Sequence, residues 1–234
     1  ATNDDKANPD SDGRYQCSAR PSSDPTALWT ITPISEKSAP STTKYSHGLG
    51  FGDVNGDGRN DILNAEGWWE APAGEGLWKF HPAPFGLAAH MFVYDFDGDG
   101  DGDVLTSSPH DFGIWWHEQL PDGSWKKHEI DMSFSQTHSL VMADINGDGL
   151  PDFVTGKRWW AHGPQGDRGA DQPAVMCWFE FKREEGKPTW IKHQFDHDSG
   201  VGTQFEVADL NGDNLLDVIC SNKKGVHIFI QERK

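Results

Sequence analysis

Residues 53–61 read DVNGDGRND, and the same spacing of acidic residues and glycine returns three times further along the chain. The other copies are DFDGDGDGD at 95–103, DINGDGLPD at 144–152 and DLNGDNLLD at 209–217. The intervals between the copies are unequal, so the block is fixed while the connecting segments vary in length. A short block that recurs in this way is typical of a protein built from repeated β units, such as propeller blades.

Short apolar runs border each acidic block on both sides. Leu49–Gly52 precedes the first block and residues 62–63 follow it, and comparable runs border the other three. Because these runs are short and include β-branched side chains, they indicate buried strands rather than helices. Each acidic block is therefore predicted to be a turn between two strands.

Tryptophans recur together with the block. A motif that begins with Trp and ends with His predicts an outer, more polar strand; it occurs at 78–81, 125–128 and 190–193, and residues 28–34 form a similar strand ahead of the first block. Trp-Trp pairs recur at 68–69, 115–116 and 159–160, at unequal distances from the blocks, so their equivalence is looser. Repeated aromatics are expected to pack between units. Trp69 and Trp160, beside loops rich in Pro and Gly, are the two predicted to be exposed.

The chemistry of the acidic blocks points to calcium. Ca²⁺ takes six to eight oxygen ligands, and alternate residues of a tight loop can all direct oxygens at one ion. Asn214 stands where the other blocks have Gly, and Asn is the other residue that tolerates positive φ. The predicted ligands, for about four ions in all, are the side chains at positions 1, 3, 5 and 9 and the carbonyl at position 7: Asp53, Asn55, Asp57, Arg59, Asp61; Asp95, Asp97, Asp99, Asp101, Asp103; Asp144, Asn146, Asp148, Leu150, Asp152; Asp209, Asn211, Asp213, Leu215 and Asp217.

A calcium loop between strands explains the blocks better than two alternatives, a plain turn and an EF-hand. Asp, Asn and Gly favour turns by themselves, but a turn needs one carboxylate, and three close, unpaired carboxylates repel one another. An EF-hand shares the first half of the pattern but requires a bidentate Glu at position 12 between two helices. Position 12 is occupied by Asn64, Thr106, Thr155 and Cys220. Mg²⁺ is a lesser competitor for the loops, because it prefers to keep its waters.

Composition limits the partners and the compartment. The chain has 234 residues and a formal net charge of −17, which disfavours nucleic acid and anionic membranes as partners. No apolar run approaches the roughly 20 residues of a membrane span, so no membrane insertion is expected. The three cysteines, Cys17, Cys177 and Cys220, permit at most one internal disulfide. Weak acidic loops require millimolar calcium, which predicts an extracellular, cell-surface or periplasmic protein.

The blocks with their flanks resemble a known family of repeats. HGLGFGDVNGDGRNDIL, MFVYDFDGDGDGDVL, HSLVMADINGDGLPDFV and FEVADLNGDNLLDVI are similar to FG-GAP or VCBS repeats, the blades of integrin-α-like propellers. The resemblance implies an extracellular propeller in which calcium rigidifies each blade, used for cell adhesion, for carbohydrate binding or beside an enzyme domain. The stretch SPHDFGIWWHEQ also resembles bacterial propellers related to the one in aldos-2-ulose dehydratase.

The predicted fold is all-β, a β-propeller of FG-GAP or VCBS blades over residues 14–234, with 1–13 as a disordered arm or a remnant. The predicted repeats cover 47–82, 89–130, 137–195 and 202–230. Two arrangements are open. In a closed ring of four blades, residues 28–34 would supply the outer strand that the last blade lacks; alternatively the chain is part of a larger propeller, because seven blades are common in the family that the blocks resemble.

Histidines precede three of the acidic blocks. His47 and His138 lie six residues before the first Asp of their blocks, and His90 lies five before. The innermost strands begin here, so these imidazoles could meet near a central channel and bind a sugar or a transition metal. The alternative is that each makes a local hydrogen bond at the edge of its blade. No catalytic residue is predicted, because His110 and Asp111 lack a nucleophile or a second ligand cluster.

These observations favour a calcium-binding extracellular module for binding, adhesion or assembly, with a glycan or an extracellular protein as partner and with homo-oligomers allowed. The insertion at 161–174 is the predicted contact surface, because variable loops on a rigid scaffold carry most binding sites. Two alternatives stand. One is a sugar lyase or dehydratase that uses the channel histidines, and the other is a structural subunit of an extracellular assembly.

Overall fold

A computed structural model describes residues 14–42, 46–159 and 161–233, and all regular structure in these ranges is β-strand. The strands are β1 Cys17–Arg20, β2 Thr30–Pro33, β3 Leu49–Gly52, β4 Asp61–Asn64, β5 Gly67–Glu70, β6 Lys79–Pro82, β7 His90–Tyr94, β8 Asp103–Ser107, β9 Phe112–Gln119, β10 Trp125–Ser135, β11 Leu140–Ala143, β12 Asp152–Gly156, β13 Met176–Glu184, β14 Lys187–Asp196, β15 Phe205–Ala208, β16 Asp217–Asn222 and β17 Gly225–Phe229. Within these ranges no helix could cross a membrane. The predicted arm at 1–13 and Trp160 lie outside the described residues.

Four repeat units follow one another along the chain. Unit 1 is β3–β6, unit 2 is β7–β10, unit 3 is β11–β14 and unit 4 is β15–β17. Within each unit, every strand pairs antiparallel with the next one in sequence. Each acidic block connects the first strand of a unit to the second. The all-β prediction and the prediction of a strand-to-strand turn are therefore confirmed.

Units 1 and 2 share one eight-stranded sheet, because their first strands pair in parallel. Glycine makes this approach possible. A β-carbon added to Gly50 would lie 2.7 Å from the Cβ of Met91, and one added to Gly52 would lie 2.6 Å from the Cβ of Val93. Units 3 and 4 begin with larger residues at the matching places and form separate sheets.

The apolar core lies between successive units. One cluster joins units 1 and 2 around Leu63 and Val104, and another joins units 3 and 4 around Val154 and Phe205. The cluster between units 2 and 3 is rich in aromatics: Phe96, Leu105, Ile114, Trp116, Phe134, Leu140, Phe153, Cys177, Phe179 and Phe181. Each fully buried Leu or Phe stabilises the fold by about 1.5–3 kcal/mol, so packing between the units holds them in order.

The outer strands repeat a cross-strand contact. The histidine that ends each Trp-to-His motif stacks on a tryptophan of the third strand, with ring centroids 4.1 to 4.3 Å apart in the three units that have a fourth strand. A glutamate two residues after that tryptophan hydrogen-bonds the same histidine. The sets are Trp68, Glu70 and His81; Trp116, Glu118 and His128; and Trp178, Glu180 and His193. The prediction of outer strands at these motifs is confirmed.

The structure corrects one prediction about tryptophan and places the recurring pairs. Trp69 is only 4% exposed, because β5 lies between β4 and β6 and its ring packs against Phe80. The recurring pairs do not hold equivalent places: Trp68 is the first of its pair and Trp116 the second, yet they stand opposite Leu63 and Leu105 in the same register. In unit 3 this place belongs to Trp178, and Trp159 follows β12 in a loop. The long insertion between β12 and β13 moves the third strand of unit 3 along the chain.

The N-terminal hairpin packs beside unit 1. Its strands β1 and β2 pair with each other, with Cys17 opposite Pro33. The Trp78 N–H donates to the Ile34 carbonyl at 2.7 Å, and Ser41 hydrogen-bonds Glu66. β2 does not pair with β17, so unit 4 keeps three strands within the described chain. The closed ring in which residues 28–34 complete the last unit is thus not formed by the described residues.

Candidate functional site

The first residue of each acidic loop organises the turn around its carboxylate. In the first loop, Asp53 accepts the N–H of Asp57 at 3.1 Å and that of Gly58 at 2.8 Å. The side chains of Asn55 and Asp57 accept the N–H groups two residues further on. Closely similar bonds recur in the other three loops. Side-chain oxygens at positions 1, 3 and 5 therefore gather on the inside of each turn.

The sixth residue of each loop has positive φ. The angle is 83° at Gly58, 102° at Gly100, 86° at Gly149 and 63° at Asn214. Asn tolerates this region better than other residues with a β-carbon, so the substitution at Asn214 preserves the turn. The predicted backbone geometry of the fourth loop is confirmed.

The ninth residue of each loop has a second task. Asp152 is fully buried, and its two oxygens accept the N–H of Ile145 at 3.0 Å and that of Phe181 at 2.8 Å. The same two bonds are made by Asp61, Asp103 and Asp217. This carboxylate fastens the loop to the third strand of its own unit or to the residues just beyond it. Each of its oxygens keeps a lone pair, so anchoring is compatible with the predicted metal contact.

The donor set fits a hard divalent cation. Carboxylate oxygens of Asp95, Asp97 and Asp99 lie within 4.8 Å of one another. Asp101 Oδ1 is buried without a hydrogen-bond partner, although only the carbonyl of this residue was predicted to bind. Like charges at these separations repel unless a cation lies between them, and an all-oxygen set suits Ca²⁺ better than softer metals. The loop geometry is thus the predicted one, and the ion stays a prediction.

Proton competition is expected to make the second loop the most pH-sensitive of the four. Burial raises the pKa of Asp101 to about 6 and that of Asp103 to about 7, and it also raises the pKa of Asp97. In the metal-free protein Asp101 and Asp103 are mostly protonated below those pH values, and calcium must displace their protons. Affinity should approach its full value only as the pH rises well above 7, and it should fall as the pH drops through 7 and 6. In the fourth loop, backbone hydrogen bonds, first that of Asn214, lower the pKa of Asp209, so calcium should be retained there.

Calcium titrations by calorimetry at about pH 7.5 and about pH 5.5 check this expectation. The lower pH should weaken one site most. Asp99→Ala should remove that pH-sensitive site, whereas the matched variant Asp213→Ala should leave it in place. Equal weakening of all the sites would contradict the assignment to the second loop.

In each of the first three acidic loops, a backbone carbonyl is also held by the following unit. The carbonyl of the second loop residue accepts a hydrogen bond from a side chain at or beyond the third strand of the next unit. Gln119 Nε2 reaches the Val54 carbonyl at 3.0 Å, Arg183 Nε reaches that of Phe96 at 2.7 Å, and Gln231 Nε2 reaches that of Ile145 at 3.2 Å. Order in a loop is therefore coupled to the packing of two units.

A histidine cluster lies at the other end of the units. The chain enters β3 just after His47 and leaves it into an acidic loop, so the histidines and the loops occupy opposite ends of the first strands. His47, His110 and His138 place one ring nitrogen each within 4.8 Å of one another. Their ring centroids are 5.1 to 5.9 Å apart. The three residues belong to the first three units in turn, since His110 lies in the β8–β9 turn and His138 precedes β11.

His90 is not part of this cluster, contrary to the predicted trio. Its Nδ1 lies 3.0 Å from the Leu140 carbonyl, a local hydrogen bond between the first strands of units 2 and 3. His90 is itself the first residue of β7, which accounts for its different spacing from the acidic block. His110 takes its place.

The insertion after β12 closes over the cluster. Asp167 of this loop lies 3.4 Å from His110 Nδ1 and 2.9 Å from His162 Nδ1, and its carboxylate is 7% exposed. Burial lowers the pKa of His110, and burial and the neighbouring Arg158 lower the pKa of His138 to about 4. Both rings are therefore neutral at pH 7.

An aromatic cleft of about 730 Å³ adjoins the cluster. Phe112 and Trp115 line it together with Asp111 and Arg168, whose guanidinium lies 3.0 Å from the Asp111 carboxylate and 5.5 Å from the Phe112 ring. Gly113 shapes this wall, because a β-carbon there would lie 1.9 Å from the Trp115 ring. The cleft thus places the flat apolar faces of two aromatic rings beside the ion pair of Asp111 and Arg168.

Sequence reasoning missed several of these residues. Phe112, Trp115 and Arg168 come from two segments whose contact depends on how the insertion folds back. One signal was present: neighbouring residues of a strand point to opposite faces, so only one tryptophan of the pair at 115–116 can face the core. Trp116 is buried and Trp115 is half-buried at the cleft. The predicted contact loop at 161–174 does supply His162, Asp167 and Arg168 to this end.

Comparison with known proteins supports the repeat and the fold. A family model described as an FG-GAP-like repeat matches residues 95–155, which hold the second and third acidic loops. Among solved structures, an Agrocybe aegerita lectin that recognises non-reducing terminal N-acetylglucosamine is similar at 16% identity and a TM-score of 0.53, over 86% of this chain and 54% of the lectin. The Vibrio cholerae biofilm matrix protein Bap1 is similar at 17% identity and a TM-score of 0.38, over 74% of this chain and 25% of Bap1. No curated protein sequence matches the chain.

The family-model match and the fold shared with the lectin support an FG-GAP-type β-sheet repeat protein. The chain spans about half the length of the lectin and a quarter of Bap1. The likeness to propellers related to that of aldos-2-ulose dehydratase stays a prediction.

Proposed function

We propose that this chain is an extracellular, calcium-stabilised module that binds a glycan in the cleft formed by Phe112, Trp115, Asp111 and Arg168. The proposal depends on one concave surface. In it, half-buried aromatic rings lie beside an Asp–Arg ion pair that can also hydrogen-bond a ligand. Sugar rings present an apolar face of C–H groups and a rim of hydroxyls. Aromatic rings and an Asp–Arg pair suit those two parts.

A second groove suits a glycan less well. It has a volume of about 520 Å³ and lies between units 3 and 4, where Trp178, Phe195 and Ile228 line it. Its polar side chains, Asn146 and Gln231, already hydrogen-bond Asp148 and the Ile145 carbonyl, so they are less free to bind sugar hydroxyls. The cleft in unit 2 is therefore the better candidate.

The acidic loops support the rest of the proposal. Their carboxylates account for much of the net charge of −17, and a divalent ion in each loop would cancel a large part of it. The loops would supply rigidity at one end of the units while the insertion and the cleft bind at the other. The lectin that shares this fold recognises a terminal sugar. Weak acidic loops need millimolar calcium, which favours a place outside the cytoplasm.

A glycan-array screen with and without calcium tests the proposal and identifies the sugar. For the glycan found, Trp115→Ala and Arg168→Ala should each weaken binding at least about tenfold, the scale of about 1.4 kcal/mol for the loss of one anchor. Trp29→Ala is the matched control, because Trp29 is 58% exposed on the N-terminal hairpin, outside the cleft. Equal losses in the control, or binding that ignores both cleft variants, would rule out this cleft.

A further inference from the structure

We infer that His47, His110 and His138 form a binding site for one zinc-class divalent transition metal ion, distinct from the acidic loops. Each residue offers a ring nitrogen, and these nitrogens lie within 4.8 Å of one another. Imidazole nitrogens bind Zn²⁺ at 2.0–2.1 Å, so neighbouring nitrogens of a tetrahedral site stand about 3.3 Å apart. The three rings would have to turn toward one another to reach that distance.

Unsatisfied polar atoms support the site. Nδ1 of His138 is buried without a hydrogen-bond partner in the described chain, whereas Nδ1 of His110 lies 3.4 Å from the Asp167 carboxylate. A buried polar group left without a partner is costly, so its retention beside two converging rings calls for a ligand. Nη1 of Arg158, beside His138, is also buried and unpaired. An oxygen anion on the fourth position of the metal would satisfy this guanidinium.

The protonation states agree with metal binding. A histidine binds a metal as the neutral ring, and the low pKa values of His110 and His138 keep these rings neutral at pH 7. Arg158 opposes a cation by its charge, but the buried carboxylate of Asp167 lies on the other side of His110 and offsets it. A carboxylate behind a ligating histidine is the usual arrangement around protein-bound zinc.

The site would join three units. His47 precedes β3 of unit 1, His110 lies in unit 2 and His138 precedes unit 3, so one ion would connect the ends of the units that face away from the acidic loops. The softer nitrogen set separates this site from the loops, which offer oxygen only. Calcium and the transition metal are therefore expected to bind together rather than to compete.

Cobalt(II) titration of the protein in saturating calcium tests the site. Tetrahedral cobalt with nitrogen ligands absorbs visible light strongly, whereas octahedral cobalt with oxygen ligands absorbs weakly, so the spectrum reports which site is filled. One equivalent should give the strong spectrum, and Zn²⁺ should abolish it. His110→Ala and His138→Ala should lose the spectrum, and Asp167→Asn should weaken binding about tenfold to hundredfold.

His90→Ala is the matched control, because His90 lies nearby but bonds to the Leu140 carbonyl. It should keep the full spectrum. Thermal unfolding in calcium, without cobalt, shows whether each variant is folded. If His138→Ala does not fold, His138→Gln is measured in its place. A weak, octahedral spectrum in the parent protein, or a strong one in the folded His110 and His138 variants, would overturn the assignment.

Discussion

Removal of calcium with a chelator is expected to lower the Tm by at least about 10 °C. An ion that binds only the folded loops at a hundred times its Kd stabilises the fold by about 2.7 kcal/mol per site. For a chain of this size, each kcal/mol moves the Tm by about 2–4 °C, so a single site accounts for about 5–11 °C and several sites for more. Scanning calorimetry with calcium and with EGTA measures the shift.

Substitutions in a single loop show whether the loss of Tm on chelation comes from the loop ions or from a general effect of salt. Asp148→Ala should remove one of about four ions, counted by calorimetric titration, and reduce the chelator-sensitive part of the Tm. Asp122→Ala is the matched control, because Asp122 caps an exposed turn through Ser124 and lies outside the acidic loops. An unchanged Tm after chelation, or a full complement of ions in Asp148→Ala, would contradict the assignment of the loops.

The repeat was predictable because its signals are local. Side chains at alternate positions of one short turn depend only on that turn, so the spacing of Asp53, Asn55 and Asp57 was enough to predict their convergence. The strands beside the loops were predictable for the same reason, since short apolar runs between turns have few other uses. The positive φ of Asn214 followed from its place in the block.

The histidine cluster was only partly predictable because it depends on contacts between units. His47 and His138 hold equivalent places ahead of first strands, and the repeat alone predicts that they approach each other. His110 comes from a different turn, and its approach depends on how far the β8–β9 turn extends. His90 was misassigned because a shift of one residue placed it inside β7 rather than ahead of it.

Insertions explain the other errors. The segment between β12 and β13 carries Trp159 away from the third strand and brings Asp167 and Arg168 over unit 2. Nothing in its composition states where it folds back, because loop conformation is set by tertiary contacts rather than by a periodic pattern. The cleft at Trp115 therefore became visible only in three dimensions.

The anchoring task of the ninth loop residue was not predictable either, and it leads to the second large effect. Asp152→Ala is expected to destabilise the protein by about 2–6 kcal/mol even without calcium. The reason is that the N–H groups of Ile145 and Phe181 lose their acceptor, and an unsatisfied buried group costs about 1–3 kcal/mol. Burial raises the pKa of Asp152, so the two hydrogen bonds also offset the desolvation of its carboxylate. Urea unfolding in EGTA measures the change.

Asp148→Ala under the same conditions is the control. Asp148 is exposed, and its Oδ1 accepts the N–H of Leu150, for which water is a ready substitute. In EGTA this variant should therefore unfold almost like the parent, although in calcium it should lose an ion. If both variants were equally stable without calcium, the ninth carboxylate would act only as a metal ligand. A large loss confined to Asp152→Ala would mean that the loop closes onto the third strand before any ion arrives, so that calcium binds a turn already shaped for it.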